Sequence, residues 1–131
     1  MKTLQITSSK HIEMIDITRE VRNVILEQEI SGGQAVIFTP HTTAAISINE
    51  NADPDVCRDM IMGLNKLVPL QDGYRHLEGN STAHIKSSLF GASETLIINN
   101  GEILLGTWQG IYFCEFDGPR QRLVHIKVTG T

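Results

Sequence analysis

Four short β-type segments follow one another between residues 94 and 128, and this run constrains the fold more than any other feature of the chain. The first is Glu94-Thr95-Leu96-Ile97-Ile98, and residues 102–107, 109–116 and 121–128 follow it. β-Branched and aromatic side chains suit the pleated, half-buried surface of a strand. Asn99-Asn100-Gly101 is a tight hairpin signal, because Asn and Gly tolerate the positive φ such turns require. Asp117-Gly118-Pro119 marks a second turn. Strands joined this closely run antiparallel, since a parallel pair needs a long crossover.

The upstream residues add helices without strict strand–helix alternation. Residues 3–8 and 11–17 alternate apolar and polar, and a hairpin through Ser8-Ser9-Lys10 would join them. Asp16 or Thr18 can cap a helix whose apolar face is Val21, Val24, Ile25 and Leu26, with Ser31-Gly32-Gly33 as its stop. Residues 34–38 and 44–50 read as strand, polar turn, strand, with Pro40 and His41 in the turn. Asp53 then caps a second helix with Pro54 at its first position. Val56, Met60, Ile61 and Leu64 form its stripe, and Pro69 closes it. Asn80 or Ser81 caps a short helix over 82–90. The order predicts one α+β domain over residues 1–131: a largely antiparallel mixed sheet, two main helices and one short helix. Glycine-rich phosphate loops of the dinucleotide or Walker type are missing.

Charge narrows the classes of partner. Eleven Lys and Arg against fifteen Asp and Glu give a net charge of −4, which argues against a nucleic-acid backbone binder. Arg120, Arg122 and Lys127 leave room for a local basic patch. Cys57 and Cys114 lie far apart with no Cys-x-x-Cys spacing and read as small apolar thiols. No run approaches the roughly twenty apolar residues that span a membrane, and residues 1–7 have no long apolar core. The expectation is a cytoplasmic protein with neither nucleic-acid nor membrane partners.

The chemistry concentrates in three histidines set among polar residues. His41 lies in Thr39-Pro40-His41-Thr42-Thr43, where Ala44 and Ala45 leave space for a ligand. His76 and His84 bracket Gly79-Asn80-Ser81-Thr82. Imidazole both ligates metals and moves protons near neutral pH. His41, His76 and His84 together would match an open zinc site, whereas Glu50, Asp53 and Asp55 would suit magnesium. Asp53 serves equally well as a helix cap alone. Asn80, Ser81 and the start of the short helix, with Lys86 nearby, form a candidate anion cradle. Glu115 and Asp117, with Arg120 past the turn, either make a structural ion pair or hold a ligand.

Three segments carry a resemblance. They are His41 to Val56, Gly79 to Lys86, and Gly106-Thr107-Trp108-Gln109-Gly110-Ile111 with Glu115-Phe116-Asp117-Gly118-Pro119-Arg120. In order and spacing the chain resembles the YjbQ family, also called secondary thiamine-phosphate synthases, nearly end to end. The resemblance implies a homotrimer with a polar pocket near the subunit interfaces. It also implies a weak thiamine-phosphate synthase activity, which joins a pyrimidine diphosphate to a thiazole phosphate and expels pyrophosphate, and a different main role. Positions matching the family's polar motifs are His41, Asn49, Glu50, His76, Asn80, His84, Lys86, Glu115 and Arg120. On that basis His41, His84 and Glu50 are the expected catalytic groups. Asn49, Asn80, Ser81, Lys86 and Arg120 are expected to bind a phosphorylated metabolite, and His41, His76 and His84 to hold a divalent ion, zinc or magnesium. A non-catalytic binding module and a trimeric interaction protein are the competing expectations.

Overall fold

Alternation along the strands decides which face each one buries. In the computed structural model, which describes residues 1–131, eight strands and three helices follow in the order β1 (Lys2–Thr7), β2 (Glu13–Asp16), α1 (Thr18–Glu27), β3 (Gly32–Phe38), β4 (Ala44–Glu50), α2 (Pro54–Leu67), α3 (Ser81–Phe90), β5 (Ser93–Asn99), β6 (Glu102–Ile103), β7 (Gln109–Glu115) and β8 (Gln121–Gly130). One sheet has the order β1-β8-β3-β5-β6 and the other β2-β7-β4, and every pairing is antiparallel. The expected α+β class holds, with the sheet divided in two.

The main core fills the space between the sheets. Ile6, Ala35, Ile37, Leu96, Ile98, Val124 and Ile126 face Ala44, Ile46, Ile111 and Phe113, and α1 adds Val21, Val24 and Ile25. The opposite face of the three-stranded sheet presents Ala45, Tyr112 and Cys114, covered by Leu64 of α2 and Ala83 of α3. β7 therefore has core on both faces, which is why residues 110–116 are buried without interruption. Cys57 and Cys114 are free thiols. No helix is long and apolar enough to cross a membrane.

Local signals fix the helix starts. The Asp16 carboxylate accepts from the Thr18 amide at 2.9 Å, just ahead of α1. Asp53 caps α2 by accepting from the Asp55 amide at 2.9 Å, with Pro54 opening the helix. Asn80 sits at the cap position of α3 but makes no cap bond, because its amide is directed elsewhere.

Strand pairing departs from the local reading in four places. β1 and β2 do not form a hairpin through Ser8-Ser9-Lys10: β1 pairs with β8 and β2 with β7. β3 and β4 also lie in different sheets, so residues 39–43 cross between layers rather than turn within one. Of the run expected to pair between residues 94 and 128 only β5 and β6 do so as neighbours: the strand expected over 102–107 ends at Ile103, and the β6-to-β7 and β7-to-β8 connections both cross between sheets. Turn composition is local, whereas each strand's partner is chosen by which faces can share the core. The crossings from β1 to β2, β3 to β4 and β7 to β8 are stitched together at one end of the molecule. Ser8 N–H donates to Arg120 C=O at 3.0 Å, Gly118 N–H to His11 C=O at 2.9 Å, and Phe116 N–H to Thr43 C=O at 3.1 Å.

Candidate functional site

The sheet-crossing end of the molecule carries the polar chemistry, and a buried ion pair is its frame. Glu115, last residue of β7, and Arg122, near the start of β8, are almost wholly inaccessible. The Arg122 Nε donates to Glu115 Oε1 at 2.9 Å, and its Nη2 to Oε2. Ser8 Oγ donates to Oε1 at 2.7 Å and the Asp117 amide to Oε2 at 3.0 Å. Burial by itself would raise the Glu115 pKa, but the bonds from Arg122, Ser8 and Asp117 outweigh it and hold the carboxyl below its ordinary range. Arg122 Nη2 also donates to Thr43 Oγ1 at 2.8 Å, which anchors the crossing that carries His41. Gly118 permits this closeness: a Cβ there would lie 2.3 Å from Lys10 C=O and 2.8 Å from both Glu115 Cγ and Ser8 Oγ.

His41 is held by β8. The Leu123 backbone N–H donates to its Nε2 at 3.0 Å. A backbone amide can only donate, so Nε2 carries no proton and the ring proton resides on Nδ1. Desolvation, then the nearby Arg122 charge, lowers the His41 pKa against a smaller opposing effect of Glu115. His41 is thus a neutral imidazole with one N–H to offer.

His84 stands on α3 between two depressions. One, of about 510 Å³, is lined by His41, Thr42, His84, Ser87 and Ser88 with Gly91 and Ala92. Ser87 Oγ donates to Ala44 C=O at 2.6 Å, tying α3 to the first residue of β4. The other, of about 530 Å³, is lined by Tyr74, Arg75, His76, Ser81, His84 and Ile85. The His76 and His84 rings meet edge to face, with centroids 5.5 Å apart and planes at 82°. Tyr74 OH donates to Pro69 C=O at 2.6 Å and pins the loop that bears Arg75 and His76.

His84 therefore contacts the surroundings of both other histidines, whereas His41 and His76 line different depressions. No three His, Cys, Asp or Glu side chains gather closely enough in one chain to hold a metal ion. A zinc or magnesium site built from His41, His76 and His84 of one chain is not formed, and the His41 Nε2 is already used by Leu123.

Two expected site residues are placed elsewhere, and three others have their side chains already engaged. Asn49 and Glu50 lie at the opposite end of β4, where Glu50 pairs with Gln109 while Ala44 pairs with Glu115. Six residues of strand separate the ends by about 20 Å. Asn49 Nδ2 rests on the Met60 sulfur, and the Glu50 carbonyl accepts from Tyr112 OH at 3.1 Å. Lys86 is buried beneath α3 with its Nζ donating to Asn65 Oδ1, and desolvation lowers its pKa. It faces inward because Thr82, Ala83, Lys86 and Ser87 share the buried face of the helix. Arg120 is engaged by Asp117, through Nε to the carbonyl at 2.8 Å and Nη2 to Oδ2 at 3.0 Å. The same Asp117 oxygen accepts from Asn80 Nδ2 at 2.8 Å, leaving Asn80 Oδ1 buried without a partner.

Arg122, Thr43 and Ser8 form a frame that sequence reasoning missed as a unit. The signal was available: Arg122 shares the inward phase of β8 with Val124 and Ile126, and an arginine in an apolar phase needs a buried partner.

Comparison with other proteins bears on the whole chain. The model of a family described as UPF0047 protein YjbQ-like matches residues 2–131. The UPF0047 protein YugU of Bacillus subtilis is 56% identical over 131 residues, covering 99% of each chain. The UPF0047 protein MJ1081 of Methanocaldococcus jannaschii is 55% identical over 126 residues, covering 96% of this chain and 91% of its own. A crystal structure of a YjbQ/UPF0047 family protein from Clostridium acetobutylicum superposes with a TM-score of 0.97 at 53% identity, over 98% of this chain and 100% of that one. A YbjQ-like protein from Sulfolobus solfataricus, described as of unknown function, gives a TM-score of 0.96 at 27% identity, over 99% and 96% of the two chains.

Proposed function

The chain belongs to the YjbQ-like UPF0047 family, and from that premise we propose that it is a homotrimeric enzyme acting on phosphorylated metabolites, with thiamine-phosphate synthase as a weak accompanying activity. The observation that carries the proposal is the position of His84, whose side chain borders both polar depressions. A group placed so can serve a reaction between two bound molecules.

The residues divide the work by their chemistry. His84 is the proton donor. The bond from the pyrimidine's methylene carbon to the pyrophosphate oxygen breaks as that carbon bonds to the thiazole ring nitrogen, which carries no proton to remove; the departing oxygen gains negative charge, and a proton from His84 offsets it. His41, neutral and with its free proton on Nδ1, orients a substrate acceptor. The Glu115–Arg122 pair fixes His41 through β8 and Thr43 and does not itself touch substrate. A divalent ion enters this scheme only through the adjacent His76 and His84, with further ligands from water, substrate or another copy of the chain. The trimer is supported by apolar side chains exposed on strands of the five-stranded sheet: Phe38, Ile97 and Leu123 are 41%, 58% and 39% exposed.

The test is pyrophosphate release from a pyrimidine diphosphate in the presence of a thiazole phosphate, before and after chelation. Turnover that survives chelation fits the proton-transfer scheme. Turnover lost on chelation and restored by zinc or magnesium moves the metal to the centre. No turnover in either state, with the phosphorylated compounds still bound, makes the protein a binding module.

A further inference from the structure

The two depressions beside His84 differ in charge. The one lined by His41 offers hydroxyls and a neutral imidazole. The other offers a permanent cation, Arg75, with His76, His84 and the hydroxyls of Tyr74 and Ser81, and no carboxylate lines it. The whole chain carries −4, so this concentration of donors is local. Arg75 is exposed, and none of the three ion pairs in the molecule uses it. The other basic groups near α3 are already occupied: Lys86 is buried on Asn65, Arg120 is held by Asp117, and Arg122 by Glu115.

We propose that the depression lined by Tyr74, Arg75, His76, Ser81, His84 and Ile85 binds a phosphoryl group, with Arg75 as its principal cation. A guanidinium presents paired N–H donors that match two phosphate oxygens. The imidazoles of His76 and His84 border the same space at a mutual ring separation of 5.5 Å, and the Ser81 hydroxyl adds a further donor. A volume of about 530 Å³ admits a phosphate or a diphosphate with part of the molecule that bears it. The organic remainder then passes His84 toward the hydroxyl-lined depression. This assignment deepens the proposed enzyme reading, in which His84 serves a bond to a phosphorylated leaving group. It also replaces Lys86 and Arg120 as the expected anion ligands.

Calorimetric titration of the full chain with inorganic phosphate and with pyrophosphate tests the site without asking for turnover. Arg75→Gln should weaken binding of at least one of them about tenfold or more, from the loss of a charge-assisted pair. Arg75→Lys should recover part of it. Arg19→Gln, on α1, should bind as the wild type does. Tighter binding of pyrophosphate than phosphate identifies a diphosphate site; equal binding identifies a monophosphate site. Wild-type protein that binds neither anion at millimolar concentration overturns the proposal, as does Arg75→Gln protein that binds both unchanged. Arg75-dependent binding in a protein with no synthase turnover keeps the site and removes the enzyme reading, so the two failures are distinct. Native circular dichroism of each variant confirms its fold before titration.

Discussion

Replacing Arg122 with Met tests the frame on which the candidate site stands. The substitution leaves Glu115 fully buried with only the Ser8 hydroxyl, at 2.7 Å, and the Asp117 amide, at 3.0 Å, as donors. It also removes the donor to Thr43 Oγ1. Removing one member of a buried ion pair costs about 3–5 kcal/mol, because the other charge is left uncompensated. Two surviving donors put the expectation at the lower end, about 3 kcal/mol, out of a total stability of roughly 5–15 kcal/mol for a domain. Urea denaturation at fixed protein concentration measures it, and the thermal midpoint should fall on the order of 10 °C. The pH dependence has a definite sign. The folded-state pKa of Glu115 lies below its ordinary 4.5, so its stabilisation is complete above that value and is lost as pH falls through the folded value. Without Arg122, burial raises the carboxyl instead. The gap between wild type and variant should therefore narrow in acid. The double variant Glu115→Leu with Arg122→Met should regain much of the loss, since it buries no charge. An Arg122→Met protein within about 0.5 kcal/mol of wild type at pH 7, well short of the expected loss, or a gap that widens in acid, refutes the reasoning.

Three further outcomes follow from the same geometry. Nitrogen-15 shifts of the imidazoles should show His41 protonated on Nδ1 at neutral pH, titrating below the ordinary 6.5; a proton on Nε2 contradicts the Leu123 bond. Gly63→Ala should stabilise α2 by about 0.5–1 kcal/mol in chemical denaturation, because a helix-interior glycine is disfavoured and nothing lies within 4 Å of the added methyl. Gly118→Ala should destabilise by about 1–3 kcal/mol as an overpacking change, since its methyl meets Lys10 C=O at 2.3 Å, and unchanged stability would show that the three crossings are not tightly joined.

The sequence was most legible where one segment contains its own reason. Asp53 and Pro54 mark the start of α2, and the Asn99-Asn100-Gly101 turn joins β5 to β6 with φ of 53° at Asn100 and 80° at Gly101. Pairing was less legible, because a strand's partner depends on residues far away: Thr3 of β1 lies opposite His125 of β8. Four short connections, after β1, β3, β6 and β7, look like turns locally, yet each crosses between sheets rather than closing a hairpin. The same limitation governs the site. His41 and His84 share a depression because the crossing at residues 39–43 carries the chain beneath α3, and the loop histidines do not encode that. Asn49 and Glu50 are near His41 in sequence, but a strand carries them away at about 3.3 Å per residue. Lys86 looks like an exposed cation because the buried face of α3 contains Thr82, Ala83 and Ser87, which give no apolar stripe to reveal its phase.

Turnover by a folded His84→Ala protein tests the central claim most directly. His84 is the side chain common to both depressions, and the proposed reaction has its proton transfer there. Pyrophosphate release should fall on the order of a hundredfold or more relative to wild type, the usual contribution of a general acid or base. A His84→Ala protein that unfolds and sediments as wild type does, yet retains full turnover, contradicts the claim.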